Sequence, residues 1–451
     1  MLAHYLQVER ADRHDTISKM KRVKCMKKAV LTDEDLRQVA RIVENMVYLD
    51  NAATTFPKPE IVMRRMVETY LSMGVSPGRG SYDLAWEAQG VVWRTRQKIA
   101  RFFGASDPER VVFTSNASDA LNIAIQGMVK PGDHIVSTHL EHNSVLRPLN
   151  HLHDKGIIEY DLVYSDKQGY IRPDDVKKAI TPATRLVVIT HASNVIGTVQ
   201  PIAEIGRVCK EEGIPLLVDA AQTAGVIQID MKASHVSALA FTGHKSLLGP
   251  TGTGGLILDR DVNIEQTRWG GTGIESKSRF HTPAFPHRLE VGTHNLLGII
   301  GLSESISFLE TESIGRIHKR EMTLLKRLRD GLSGIEGVTV YCADDLSNHV
   351  ALLSANIDGL DPEDIGETLN HDFGIAVRTG LHCAPGVHET IPTTPRGSVR
   401  FSLGPFNTEA HIDHAVEAMR AIADSRECEK GKRRQSFHTD SKVKGKQTLS
   451  A

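Results

Sequence analysis

The sequence predicts an α/β fold, a mostly parallel central sheet flanked by helices and followed by a smaller α+β domain. Three observations predict it. Between about Val111 and Asp259, short β-rich runs (VVFTS, HIVST, LVVIT, PLLVD, ALAFT and GLILD) alternate with longer helical segments. These runs are apolar almost throughout, as suits strands covered on both faces. After about Gly298 the pattern changes: a long helical stretch through RIHKREMTLLKRLRDGL leads to TVYCA, VALLSAN, IAVRTG and SVRFSL, interspersed with helices.

In chain order, residues 1–30 are polar and basic, including KRVKCMKK, and show no apolar period, so a disordered extension is expected. Over 31–58, TDED at Thr32 gives a capping-box-like start. Leu36, Val39, Ala40, Val43 and Val47 then recur at helical spacing, predicting an N-terminal helix and a segment that joins the small domain. Residues 59–298 make the large α/β domain, and 299–424 the small C-terminal α+β domain. The tail over 425–451 is rich in lysine and nearly free of apolar residues, so it cannot bury enough surface to offset ordering entropy.

Composition excludes several classes of function. The 451 residues carry 54 basic and 55 acidic side chains, net charge -1, so the overall field gives no reason to expect nucleic acid or a membrane as partner. Five cysteines (Cys25, Cys209, Cys342, Cys383 and Cys428) are scattered and form no CxxC pair, which argues against a disulfide framework or a zinc site. With no apolar leader near the N-terminus and no run long enough to span a bilayer, a cytoplasmic protein is expected. His139, His142, His151 and His153 crowd one stretch but lack metal-ligand spacing, so no metal is expected. GPTGTGG lies in neither a GxGxxG nor a Walker setting.

Lys245, in AFTGHKSLLGP, follows an apolar run and precedes a glycine-rich loop, about twenty-five residues after DAAQ at Asp219 to Gln222. A lysine amine serves covalent carbonyl chemistry when its pKa is lowered, and pyridoxal phosphate enzymes place it beside an acid that holds the pyridinium nitrogen. Lys245 is therefore a candidate Schiff-base lysine, with Asp219 as that acid. TSNASDALN, between a strand and a helix, points the amides of Asn116, Ala117 and Ser118, with the Ser118 hydroxyl, at an anion. The same letters also describe an ordinary helix cap. His142 suits stacking on a pyridine ring, and Asn194 and Gln222 suit its phenolic oxygen.

YLDNAATT, LEHNSV, SNVIGT, DAAQ, FTGHK, EVGTHN and RTGLHCAP, in that order from about Tyr48 to Ile422, together resemble the cysteine desulfurase and selenocysteine lyase branch of the class V aminotransferase family. The resemblance implies a pyridoxal 5'-phosphate-dependent transferase of fold type I, with Lys245 as the catalytic lysine. It implies that Thr242 and His244 bind phosphate beside Ser118, and that Thr293 reaches a phosphate across a homodimer interface. Val291 and His294 depart from the usual Ala and Pro around that threonine. Cys383 in HCAP matches the desulfurase nucleophile, with His382 and Arg378 nearby to favour thiolate. Arg400 resembles the substrate-carboxylate arginine, and Arg378 and Asn194 are placed with it at the substrate.

The implied reaction converts L-cysteine to L-alanine and leaves a persulfide on Cys383 for an acceptor protein or thiol. Three alternatives stay open: a selenocysteine lyase, a class V aminotransferase or epimerase in which Cys383 is incidental, and a non-catalytic scaffold. The segment from Gly271 to Thr293 is shorter than in some sulfur-mobilising members, which bears on acceptor coupling.

Overall fold

The computed structural model describes residues 33–78 and 80–425. The expected extension over 1–30, Thr32, Cys428 and, apart from Ser425, the expected tail lie outside the described residues. The chain divides into two units, one ending at Met46 and one beginning at Val47. In the first, helix α1 (Asp33–Glu44) has Val39, Ile42 and Val43 exposed.

The second unit opens with β1 (Val47–Tyr48). Val47 therefore does not extend the α1 stripe as helical spacing predicts. Its N–H is taken by the Gly374 carbonyl at 2.9 Å, and a long-range strand pairing overrides the local period. Next come α2 (Glu60–Met73), α3 (Asp83–Phe102), β2 (Val111–Thr114), α4 (Ala117–Met128), β3 (Asp133–Thr138), α5 (Asn143–Asp154) and β4 (Ile158–Val163). They are followed by α6 (Pro173–Ala179), β5 (Thr184–Thr190), α7 (Ile202–Glu211), β6 (Leu216–Asp219), β7 (Ala238–Thr242) and β8 (Gly254–Leu258). Strands β2 to β8 form one seven-stranded sheet in the order β2-β8-β7-β6-β5-β3-β4. All its pairings are parallel except those of β8, which runs antiparallel to both β2 and β7.

Interior strands β6, β7 and β8 are buried at every residue, as their apolar sequences require. Strand β4 is at the sheet edge, and Glu159 and Asp161 interrupt its apolar residues. That is why the apolar-run criterion missed it. Because the strands are parallel, Thr138, Thr190, Asp219 and Thr242 all finish at carboxyl ends, where α/β sheets present ligand-binding residues.

The chain continues through α8 (Leu296–Glu312), α9 (Ile314–Ser333), β9 (Val338–Tyr341), β10 (Leu352–Ile357), α10 (Pro362–Phe373), β11 (Ile375–Ala376), β12 (Arg378–Gly380), α11 (Pro385–Thr390), β13 (Ser398–Ser402) and a last helix, α12, over 409–425. Strands β12-β13-β10-β9 make an antiparallel four-stranded sheet, and β1 pairs with β11. The boundary expected at 298/299 falls inside α8. Leu302, Ile306 and Leu309 of that helix pack in a core with Val187, Val218 and Phe241 of the seven-stranded sheet. Helix α9 starts against the same core at Ile314 and Ile317, and its Leu324, Leu325, Leu328 and Leu332 enter a second core with Leu353, Phe401 and Met419. The chain thus changes cores along α9, just after the turn at Ser313, which has φ 67°.

Candidate active site

A cleft of about 480 Å³ opens at the carboxyl ends of β5, β6 and β7. It gathers Ala117, Ser118, His142, Asn194, Asp219, Gln222, Thr242, His244 and Lys245, nine of the residues the sequence singles out. Lys245 follows β7 directly. Burial lowers its amine from 10.5 to about 8; Asp219 opposes the shift, and Arg400 and Arg378 add to it. Asp219, the last residue of β6, accepts from the Ala221 N–H at 2.9 Å and forms no ion pair among the described residues. Burial raises its pKa.

Helix α4 starts at the cleft, capped by Asn116, whose side chain accepts from the Asp119 N–H at 2.9 Å. Asn116 is therefore a helix cap, and it also lines the cleft with Ala117 and Ser118. Ser118 Oγ lies 2.6 Å from Ser144 Oγ, which in turn is 2.9 Å from His142 Nδ1. His142 caps α5: its Nδ1 accepts from the Ser144 N–H at 3.0 Å, so the ring proton sits on Nε2. Burial, with Lys245 and nearby arginines, lowers His142 to about 4, so the ring is neutral at physiological pH.

Cys383 sits between β12 and α11, in a loop where His382 and Cys383 have φ 49° and 59°. Consecutive left-handed non-glycine residues cost of order 1–3 kcal/mol each and persist only where surroundings impose them. Three contacts do so here: the Asn194 amide donates to the His382 carbonyl at 2.7 Å, the Asn143 N–H donates to the Cys383 carbonyl at 2.7 Å, and Arg378 Nη2 donates to Cys383 Sγ at 3.2 Å. Arg400, on β13, is sealed at 1% exposure. It donates to the Asn194 carbonyl at 3.0 Å and to Asp50 Oδ1 at 2.7 Å, while its Nε has no partner. Gln222 donates to the Ala52 carbonyl at 3.1 Å. Thr293 does not join this cleft. It is exposed and lines a separate one with Trp86, Ile274, His287 and His294.

Sequence reasoning missed five residues. Glu141 lies beneath the site: its Oε1 accepts from Thr138 Oγ1 at 2.7 Å and the Thr190 N–H at 2.8 Å, while Oε2 is buried without a partner. Asp50 and Ser144 are placed as described above. The ammonium of Lys58 and the Thr54 hydroxyl both donate to the His244 carbonyl. Asp50, Glu141 and Ser144 stand inside motifs already quoted, which was the available signal.

Burial also makes the site's folding energy pH-dependent. His142, His191 and His349 are lowered from 6.5 to about 4, so between those values the unfolded chain binds protons that the fold does not, and stability rises with pH. Burial pushes Glu141 and Glu321 up from 4.5 to about 8, so across that span the fold holds protons the unfolded chain lacks, and stability falls as pH rises. His244 and His388 are lowered to about 4 and His382 to about 2 in the same way, so the histidines outweigh the raised carboxyls below 6.5; between 6.5 and about 8 the carboxyls dominate, and above that Lys58 and Lys245, lowered from 10.5 to about 8, act in the opposite sense. The melting temperature of the purified protein should therefore peak near pH 6.5, with each unbalanced proton worth about 1.4 kcal/mol per pH unit. Glu141→Gln should flatten the decline between pH 6.5 and 8; a melting temperature still climbing there would contradict these assignments.

The fold and strand-end site together define a fold type I enzyme of the pyridoxal phosphate-dependent transferases. The chain belongs to the class V aminotransferase family, whose model matches residues 47–414. It is 37% identical over 396 residues to a protein of Methanothermobacter thermautotrophicus named "Probable cysteine desulfurase", covering 86% of this chain and 98% of that one. A protein of the same name from Pyrococcus abyssi is 33% identical over 400 residues, covering 87% and 98%. Among solved structures, the apo cysteine desulfurase of Thermococcus onnurineus superposes with a TM-score of 0.80 at 34% identity, covering 88% of this chain and 99% of that one. A cysteine desulfurase of Escherichia coli gives 0.76 at 27% identity, covering 85% and 96%.

The residues present fit pyridoxal phosphate. Asp219 is a buried carboxylate with no cation paired to it in the described chain, as a protonated ring nitrogen needs, and His244 Nδ1 is buried without a partner among the described residues.

Proposed function

We propose that this chain is a cysteine desulfurase that uses pyridoxal 5'-phosphate to convert L-cysteine to L-alanine and carries the released sulfur as a persulfide on Cys383. The observation that carries the reading is the half-buried Cys383 thiol, held in a left-handed loop with the Arg378 guanidinium on its sulfur.

Ala117, Ser118, Thr242 and His244 would hold the phosphate, Asp219 the protonated ring nitrogen, Asn194 and Gln222 the phenolic oxygen, and neutral His142 one face of the ring. When bound, the cofactor supplies an electron sink that makes the substrate Cα proton acidic. The Lys245 amine, lowered to about 8, has enough neutral form near neutrality to take that proton. Arg400, with Arg378 and Asn194, orients the substrate carboxylate. The Cys383 sulfur, to which Arg378 donates a hydrogen bond, attacks the substrate sulfur as thiolate: a sulfur–sulfur bond forms, the carbon–sulfur bond breaks, and its electron pair stays on carbon, which is protonated to give alanine.

In this reading the cofactor residues belong to the seven-stranded layer, and Cys383, Arg378 and Arg400 to the four-stranded one. The working unit is a homodimer, supported by the position of Thr293 outside the Lys245 cleft and by exposed Leu71, Trp86 and Trp93 on α2 and α3. A cytoplasmic location agrees with the unpaired state of Cys209, Cys342 and Cys383.

Incubating the purified protein with L-cysteine and no added thiol tests the function. We expect one alanine per active site in a burst, and a mass increase of one sulfur on the peptide carrying Cys383. Alanine without that mass shift would contradict the role given to Cys383.

A further inference from the structure

A second cleft, of about 890 Å³, lies outside Cys383 between α4 and α5. Ser118, His142 and Ser144 line both this cleft and that of Lys245, so the two are continuous. The outer wall carries Asn122 and Gln126 from α4 and Arg147 and His151 from α5, and no carboxylate lines it. Arg147 and His151 are four residues apart on one helix, so they share a face. Both are exposed, and Arg147 forms no ion pair or hydrogen bond among the described residues, although its charge reaches His142. Arg400, assigned to the substrate carboxylate, does not line this cleft.

We propose that this outer cleft is where sulfur leaves Cys383, and that it selects a small anionic thiol as acceptor, with Arg147 as the selecting residue. The inference rests on the reading of Cys383 as the persulfide carrier. A thiolate approaching Cys383 through this cleft meets the Arg147 guanidinium and neutral dipoles, so a second negative charge on the acceptor is attracted and a positive one repelled. In the transfer, the acceptor thiolate attacks the outer sulfur of the persulfide, and the bond to Cys383 breaks. Cys383 departs as thiolate toward the Arg378 guanidinium, whose Nη2 lies 3.2 Å from its sulfur. One sulfur–sulfur bond replaces another, and no oxidant or reductant is consumed.

The test loads the full-length holoenzyme with L-cysteine, removes excess substrate, and follows persulfide discharge by mercaptopropionate (anionic), mercaptoethanol (neutral) and cysteamine (cationic), compared at equal thiolate concentration. The wild type should favour the anion over the cation by about 10-fold at low ionic strength, and the preference should shrink with added salt. Arg147→Glu should erase or reverse the order. Rates independent of probe charge in the wild type would overturn the proposal. An anion preference that survives Arg147→Glu would overturn the role given to Arg147. Failure of the underlying reading shows separately, as a wild type with no alanine burst and no persulfide to discharge, and that result would remove both.

Discussion

Lys245→Ala should lower alanine formation from L-cysteine by about 10³-fold or more, the scale on which a positioned proton-transfer group acts. It removes an amine lining the cleft whose pKa burial has brought down to about 8. Lys245→Arg should be equally inactive, because a guanidinium stays protonated and cannot accept the Cα proton. The fold should survive both changes, since the lysine follows β7 in a turn that keeps partial solvent access, and the alanine variant also removes a desolvated cation. Circular dichroism and melting temperature separate this loss from misfolding. Retention of a tenth of wild-type turnover by Lys245→Ala would displace the lysine from its assigned role.

The second large effect is chemical rather than electrostatic. Cys383→Ala and Cys383→Ser should both fail to form a persulfide and lose alanine production by about 10²-fold or more, because the substrate sulfur has lost its thiolate acceptor. Stability should move by only about 0.5 kcal/mol, as neither substitution changes the main-chain contacts from Asn143 and Asn194 that hold the loop. Sulfur release from Cys383→Ala at the wild-type rate would leave the thiol without a function here and favour a reaction that needs no protein nucleophile.

The sequence showed most clearly what depends on neighbours along the chain. Strands buried on both faces, such as β7 with ALAFT, announce themselves by composition, whereas edge strand β4 mixes Glu159 and Asp161 with its apolar residues and reads as a loop. Val47 shows the opposite failure: it fits the helical period of α1 and is claimed by a pairing with Ile375. At the site, Lys245 and Asp219 were legible because each ends or follows an apolar strand. Asp50 was not, because its role lies in Arg400, 350 residues away, and Glu141 was not, because only folding puts it against Thr190. The amides of Asn194 and Gln222, expected at a phenolic oxygen, line the cleft. Their bonds to the His382 and Ala52 carbonyls lie beyond any sequence pattern.

The ion pair between Arg400 and Asp50 bears on how this site discriminates. A sealed guanidinium that already faces a carboxylate has little unspent charge to offer, so under the proposed role of Arg400 a substrate carboxylate would trade places with, or share, an anion the protein supplies itself. The free energy available for recognising a carboxyl group is then the difference between two similar ion pairs, not the full strength of either. In the proposed reaction Asp50 would act as a built-in competitor for the substrate carboxyl group.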